Sequence, residues 1–213
     1  MKATAVIPVK RFVAAKRRLA TGMPDERREA LVEAMVEDVL EAVAATRSIE
    51  RTVVVSDEPR VAAAARAVGA ELAPDPGEGG HSGAALAGIA RAEADGASRV
   101  LLLPGDCPVL DPREVDRLLT GVPSPYVAVV PDRHGTGTNA LLLSPPTAIR
   151  PAFGEGSRAR HVAAARAAGI PHAVEELASL GLDLDTPADL IALTRELQKR
   201  PGRAKRTAKA LGI

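Results

Sequence analysis

The chain has 213 residues, 46% of them hydrophobic and 1% aromatic, with no Trp. That suffices for one full-sized domain whose core is built from Ala, Val, Leu and Ile. The single cysteine, Cys107, excludes an internal disulfide and a cysteine metal cluster. The net charge of +1 hides an uneven spread: residues 1–28 hold 8 Lys/Arg against 2 acids, residues 195–213 hold 7 against 1, and the body between holds 13 against 24.

In chain order, residues 3–9 read as a first strand, followed by a loop over 10–22 that carries Lys10, Arg11, Lys16, Arg17 and Arg18. A long helix is expected over 25–46, where Leu31, Met35, Val39 and Val43 recur at helical spacing. A strand over 52–56, a helix over 60–68 closed by Gly69 and a short strand over 70–73 follow. The loop 74–83 then leads into a helix running to about Asp95, with Ser82 as its expected N-cap. Residues 99–103 form an apolar strand that stops at Pro104-Gly105-Asp106. Asp111, Pro112 and Glu114 open the next helix as a capping box. Strands are expected over 126–130, 139–143 and 170–174, and helices over 158–168 and 187–198. This alternation predicts a single-domain, three-layer α/β fold with a mostly parallel sheet over residues 1–198. The tail 199–213 reads as a basic extension, disordered or docked on a partner.

No apolar run approaches the ~20 residues of a membrane span, and the first strand is broken at Pro8 too soon for a signal peptide. A cytoplasmic protein without membrane contact is expected.

Five motifs can carry chemistry. Asp106 stands at the carboxyl end of a buried strand, the edge where open α/β sheets bind ligands; the same residue also fits a plain turn. In Asp183-Leu184-Asp185-Thr186-Pro187, alternation points two carboxylates the same way. Such a pair repels itself unless a cation lies between, and Mg²⁺ commonly combines one or two carboxylates with substrate phosphates. Asp185 or Thr186 also fits as a helix cap, and Asp189 reads as a solvated charge. The five cations of the loop after the first strand suit a triphosphate or a solvated loop equally. Gly135-Thr136-Gly137-Thr138 and Gly154-Glu155-Gly156-Ser157 are small-residue loops that let backbone N–H groups and hydroxyls approach an anion. Arg158, Arg160 and His161, just after the second loop, suit either charge-assisted contacts or a solvated helix face. Cys107 reads as a small buried residue, and the four histidines lack metal-ligand spacing. Neither a dinucleotide fingerprint nor a P-loop is present.

Taken in order, Pro8-Val9-Lys10…Ala15-Lys16-Arg17-Arg18-Leu19, Gly105-Asp106-Cys107-Pro108, Asp132-Arg133-x-Gly135-Thr136-Gly137-Thr138-Asn139, Phe153-Gly154-x-x-Ser157-x-x-x-His161 and Asp183-x-Asp185-Thr186-Pro187-x-Asp189-Leu190 resemble the guanylyltransferases of coenzyme F(420) biosynthesis. These act on phosphoenolpyruvate or 2-phospho-L-lactate. The resemblance spans roughly residues 4–195. It implies a nucleotide-diphospho-sugar transferase-like, Rossmann-like domain of the molybdopterin-guanylyltransferase-like group. Pro8-Val9-Lys10-Arg11 stands where that wider group has Leu-x-Gly-Gly, which agrees with the F(420) branch.

The resemblance further implies Mg²⁺ on Asp106, Asp183 and Asp185. It implies Lys10, Lys16 and Arg18 on the GTP phosphates as catalytic groups, and Ser82 and Gly83 near the nucleotide. Thr138, Gly154 and Ser157 would hold the phosphate of a three-carbon acid. An oxygen of that phosphate attacks the α-phosphorus of GTP and pyrophosphate leaves. The nucleophile is already an anion, so the task is to screen two polyanions and align them. Phosphoenolpyruvate is the expected acceptor, with 2-phospho-L-lactate and 3-phospho-D-glycerate as alternatives, and the product would pass to a downstream transferase. A homodimer stays open. The rivals are a metal-dependent glycosyltransferase and a non-catalytic nucleotide-binding module. Nucleic acid is not an expected partner, because the basic tail lacks aromatics for stacking.

Overall fold

A computed structural model describes residues 3–12, 16 and 23–213. The elements run β1 (Ala3–Pro8), α1 (Asp25–Ala44), β2 (Ile49–Val55), α2 (Pro59–Ala67), β3 (Glu71–Ala73), α3 (Gly80–Ala94), β4 (Val100–Leu102), α4 (Pro112–Leu119), β5 (Tyr126–Pro131), β6 (Thr138–Ser144), α5 (Ser157–Ala167), β7 (His172–Val174), α6 (Pro187–Lys199) and α7 (Lys205–Leu211). The seven strands form one sheet in the order β3-β2-β1-β4-β6-β5-β7.

Alternating side chains divide each strand between two cores, as a sheet covered on both faces requires. Ala5, Ile7, Leu101, Leu103, Ala140 and Leu142 face a core shared with Leu31, Met35 and Val39 of α1, Val61 of α2, Val115 of α4 and Leu193 of α6. Val6, Val53, Val55, Leu102, Leu141 and Leu143 face a second core, with Ala85, Ile89 and Ala92 of α3 and Ala165 of α5. The expected three layers are therefore present. Helix α3 lies close on the sheet because of Gly88, where a Cβ would stand 2.3 Å from a methyl of Val6.

Strands β3, β2, β1 and β4 pair in parallel, but β6 runs antiparallel to both β4 and β5. The sheet remains mostly parallel, and this one reversal positions the site. The register Leu102↔Leu141 and Val100↔Leu143 carries the start of β6 past the carboxyl end of β4. Thr138 and Asn139 thus arrive at the same edge as Asp106.

Three local expectations are corrected. Helix α3 begins at Gly80 with left-handed Gly79 as its N-cap, so Ser82 lies inside its first turn. Asp111 does cap α4, accepting from Arg113 N, but Glu114 completes no capping box; its carboxylate accepts from the Ser179 N–H and hydroxyl. The tail expected to be disordered or docked on a partner instead forms α7 and packs on α1 of its own chain. Its cations meet the acidic body: Arg203 pairs with Asp111 at 2.9 Å and Arg206 with Glu37, Asp38 and Glu41. Asp38, 6% exposed, accepts from the Thr207 N–H at 2.8 Å and the Thr207 hydroxyl at 2.7 Å, which caps α7 from another helix.

Candidate active site

The chain builds outward from β1 to β2 and β3, then returns across β1 to β4. The crevice where this order reverses, at the carboxyl ends of β1 and β4, is where an open α/β sheet takes its ligand. A cavity of about 240 Å³ lies there, bounded by Lys10, Lys16, His81, Gly105, Asp106 and Asp185.

Two anchors hold the segment after β1. Val9 N–H donates to Val55 O at 2.9 Å, and Phe12 N–H to the Glu58 carboxylate at 3.2 Å. The Phe12 ring is fully buried, and the Arg60 guanidinium covers it 4.7 Å from the centroid. The same segment brings in Lys16, whose ammonium donates to Asp106 and, at 2.7 Å, to Asp185. Burial alone would push the Lys16 pKa down, but Asp106 and Asp185 together outweigh it and hold the ammonium charged. Its φ of +54° is left-handed, a conformation that side chains disfavour. Lys10 is exposed at the cavity wall. Arg17 and Arg18 lie outside the described residues.

The two acidic motifs meet at the Lys16 ammonium, which Asp106 and Asp185 share. Buried Leu184, 1% exposed, separates Asp183 from Asp185 in the segment leading into α6. Burial, and then the Asp106 charge, raise the Asp183 pKa, against hydrogen bonds from Asn139 Nδ2 at 3.1 Å and from its own backbone. The Asn139 amide also donates to Leu180 O at 2.7 Å, fastening the Asp183 segment to β6. With the Lys16 ammonium between Asp106 and Asp185, no three acidic, histidine or cysteine side chains among the described residues are gathered as a metal-ligand set. Asp106 and Asp185 do bracket one cation, the Lys16 ammonium. An all-oxygen donor set of this kind suits a hard divalent ion whose remaining ligands are phosphate oxygens and water.

Asp189 is corrected from a solvated charge to a buried one, 4% exposed. It forms a capping box with Thr186, accepts from Asp185 N–H at 3.1 Å and pairs with Arg133 at 2.5 Å. It thereby orients the backbone that carries Asp185. Cys107 is wholly buried, and burial together with Asp106 and Asp183 pushes its thiol well up, so it is no nucleophile.

The two small-residue loops also come together. Arg158 N–H donates to Thr136 O at 3.2 Å and the Arg158 guanidinium to Gly135 O at 2.9 Å. His161 joins Thr138 through Nδ1 at 3.0 Å. Gly154 adopts φ +109° and Gly156 φ +68° as α5 begins. Arg160 is exposed, but its guanidinium donates to the carbonyls of Ala152, Phe153 and Glu155. Ser82 Oγ accepts from Phe153 N–H at 2.9 Å, joining the start of α3 to this loop. Gly83 admits no side chain, since a Cβ would stand 2.0 Å from Glu78 O.

Residues 3–201 match the family model described as guanylyl transferase CofC like. The phosphoenolpyruvate guanylyltransferase of Conexibacter woesei is 45% identical over 210 residues, covering 97% of this chain and 94% of the relative. The chain belongs to the CofC-like guanylyl transferase family. The phosphoenolpyruvate guanylyltransferase of Sphaerobacter thermophilus is 41% identical, covering 89% of this chain and 91% of the relative. The 3-phospho-D-glycerate guanylyltransferase of Phenylobacterium zucineum is 35% identical, covering 91% and 90%. Among solved structures, one from Desulfovibrio desulfuricans G20 named for the nucleotide-diphospho-sugar transferases superposes with a TM-score of 0.76 at 19% identity, covering 99% of this chain and 94% of that one. That likeness shows the fold.

In this CofC-like chain, several residues around the site carried no functional role in the sequence. Asn139 supports Asp183, Arg133 and Asp189 support Asp185, and Glu58 with Arg60 anchors the segment after β1. Asp189 lies only four residues from Asp185, but Arg133 and Asn139 are remote in sequence from the acids they support, and local spacing does not reveal them. No helix among the described residues is long and apolar enough to cross a membrane.

Proposed function

We propose that the chain transfers GMP from GTP to phosphoenolpyruvate, giving enolpyruvoyl-2-diphospho-5′-guanosine and pyrophosphate. The new bond joins an acceptor phosphate oxygen to the α-phosphorus, and the bond from the α-phosphorus to the α,β-bridging oxygen breaks. The observation that carries the reading is Lys16 held between Asp106 and Asp185 at the switch-point crevice. It puts a permanent cation and two carboxylates where a triphosphate must be neutralised.

Asp106, Asp183 and Asp185 would hold Mg²⁺, which when bound supplies charge neutralisation on phosphate oxygens. Lys10 and Lys16 face the GTP phosphates and screen their approach to a second anion. Ser82 and Gly83, in the first turn of α3, border the nucleotide. Thr138, Gly154 and Ser157 receive the acceptor phosphate through hydroxyl and backbone donors. No general base is needed, because the acceptor phosphate is already ionised near neutral pH. Held in line, the two anions react without a covalent enzyme intermediate. The product is a reactive diphosphate diester, suited to a downstream transferase in a soluble compartment.

A second reading keeps the reaction and changes the acceptor to 3-phospho-D-glycerate, as the Phenylobacterium relative is named; 2-phospho-L-lactate has the same pair of anionic groups. Purified protein with Mg²⁺, GTP and each acid separately, followed by pyrophosphate release, tests all three. Release with phosphoenolpyruvate above the others is expected. Release with none of them overturns the reading.

A further inference from the structure

His161 is fully buried on α5, one turn after Ser157, and touches both loops of the proposed acceptor site. Its Nε2 lies 2.8 Å from the backbone nitrogen of Ala152, and its Nδ1 lies 3.0 Å from Thr138 Oγ1. A backbone N–H can only donate, so Nε2 must present its lone pair. In the neutral imidazole the proton is then on Nδ1, and Nδ1–H donates to the threonine oxygen. Burial, with Arg160 nearby, lowers the His161 pKa to about 4, consistent with a neutral ring. The edge-on ring of Phe153, 5.2 Å between centroids, closes another side.

The tautomer decides what Thr138 can offer. A hydroxyl has one proton and two lone pairs. Had the proton been on Nε2, Thr138 would donate to Nδ1 and turn lone pairs toward an incoming anion. With Nδ1–H as donor, the threonine proton is released from the imidazole, and no other protein group among the described residues accepts it. We propose that His161 is a positioning residue that fixes the Thr138 hydroxyl as a donor to the acceptor substrate's anionic oxygen. This rests on the acceptor-site reading given above. The same ring holds Ala152, so one side chain sets both the direction of the hydroxyl and the start of the loop that presents Gly154.

Two measurements test it. The first needs no activity: ¹⁵N imidazole shifts of the whole, unliganded protein at pH 7. A pyrrole-type Nδ1 and pyridine-type Nε2 are expected for His161, and the reverse tautomer overturns the proposal. The second compares variants whose amides imitate one ring nitrogen each. H161N can keep a donor near the Nδ1 position, while H161Q can keep only the acceptor near Nε2. H161Q should raise the KM for phosphoenolpyruvate about ten- to a hundredfold, the range for hydrogen bonds to charged groups. The GTP KM should stay within about twofold, and H161N should recover part of the loss. T138V should abolish the difference between H161Q and H161N. Equal effects on both substrates, or full additivity with T138V, overturn it. A wild-type protein inactive on every acceptor would remove the acceptor-site reading and leave the tautomer measurement standing.

Discussion

The ammonium of Lys16 stands 2.7 Å from the carboxylate of Asp185, a residue 169 positions further along the chain. This pair closes the crevice between the strand-1 side of the sheet and the segment leading into α6. With Asp106 it makes a three-member charge cluster whose only cation is Lys16 among the described residues. Replacing Lys16 by Met leaves the carboxylates facing each other without a counter-ion. kcat/KM for GTP is expected to fall by about a hundredfold or more, as for loss of a group that stabilises charge in the transition state. In the absence of nucleotide, Mg²⁺ should raise the melting temperature of K16M more than that of wild type, because a metal on the proposed site would no longer compete with the ammonium. Thermal shift with and without Mg²⁺ reads this directly; equal shifts would remove Lys16 from the metal's path.

Asp183 gives a prediction of opposite sign for stability and for activity. Burial and the Asp106 charge raise its pKa, so the ionised form is disfavoured in the folded protein. Asp183→Asn keeps the shape and removes that repulsion. We expect D183N to melt higher than wild type, by about a few degrees, and to lose turnover. D106N and D185N should also lose turnover while remaining folded. Full activity in any of the three removes that residue from the proposed metal site.

The buried imidazole of His161 makes stability depend on acid pH. Its folded pKa, lowered by burial and then by Arg160 to about 4, lies below the ordinary value of 6.5. The unfolded chain therefore binds the extra proton first, and stability falls as the pH drops from 6.5 towards 4. The loss from this group is at most about 3 kcal/mol. Urea unfolding of wild type and H161N at several pH values checks it: the variant's profile should be flatter through that window.

Asp38 supports α7 from α1 with three hydrogen bonds, to Arg206 N–H, Thr207 N–H and the Thr207 hydroxyl. Asp38→Ala leaves these donors without their acceptor and should destabilise by about 1–3 kcal/mol. Because α7 lies away from the crevice, kcat and KM should be unchanged at temperatures where the variant is folded. Retention on nucleic acid should be equally weak in both proteins, since Arg203 and Arg206 are committed to intramolecular acids.

The alternating strands and helices, and the acids at Asp106 and Asp183-x-Asp185, are visible in the sequence because they rest on local pattern: apolar runs, caps and period-two alternation. The reversal of β6 was not visible. A buried apolar run such as Ala140–Leu143 looks the same whichever way the strand runs. Asp189 looked solvated because an acid in a first helical turn usually is; its partner Arg133 lies on another connection. The tail's polar, basic composition suits disorder or a separate partner equally, because its acidic partners Glu37, Asp38 and Glu41 lie far away in sequence on α1. His161 appeared only as one of three charges, although burial makes it the neutral member. In each case the missing information was the long-range partner.

The cap on α7 also sets an order of events during synthesis. Asp38 leaves the ribosome 169 residues ahead of Thr207. At about 5–20 residues per second, its carboxylate waits roughly ten to thirty seconds for the donors it will meet. Through that interval α1 keeps its seam for α7 open, with an uncovered acid beside apolar neighbours. The nascent protein is then most exposed to premature contacts on the very surface that is sealed last.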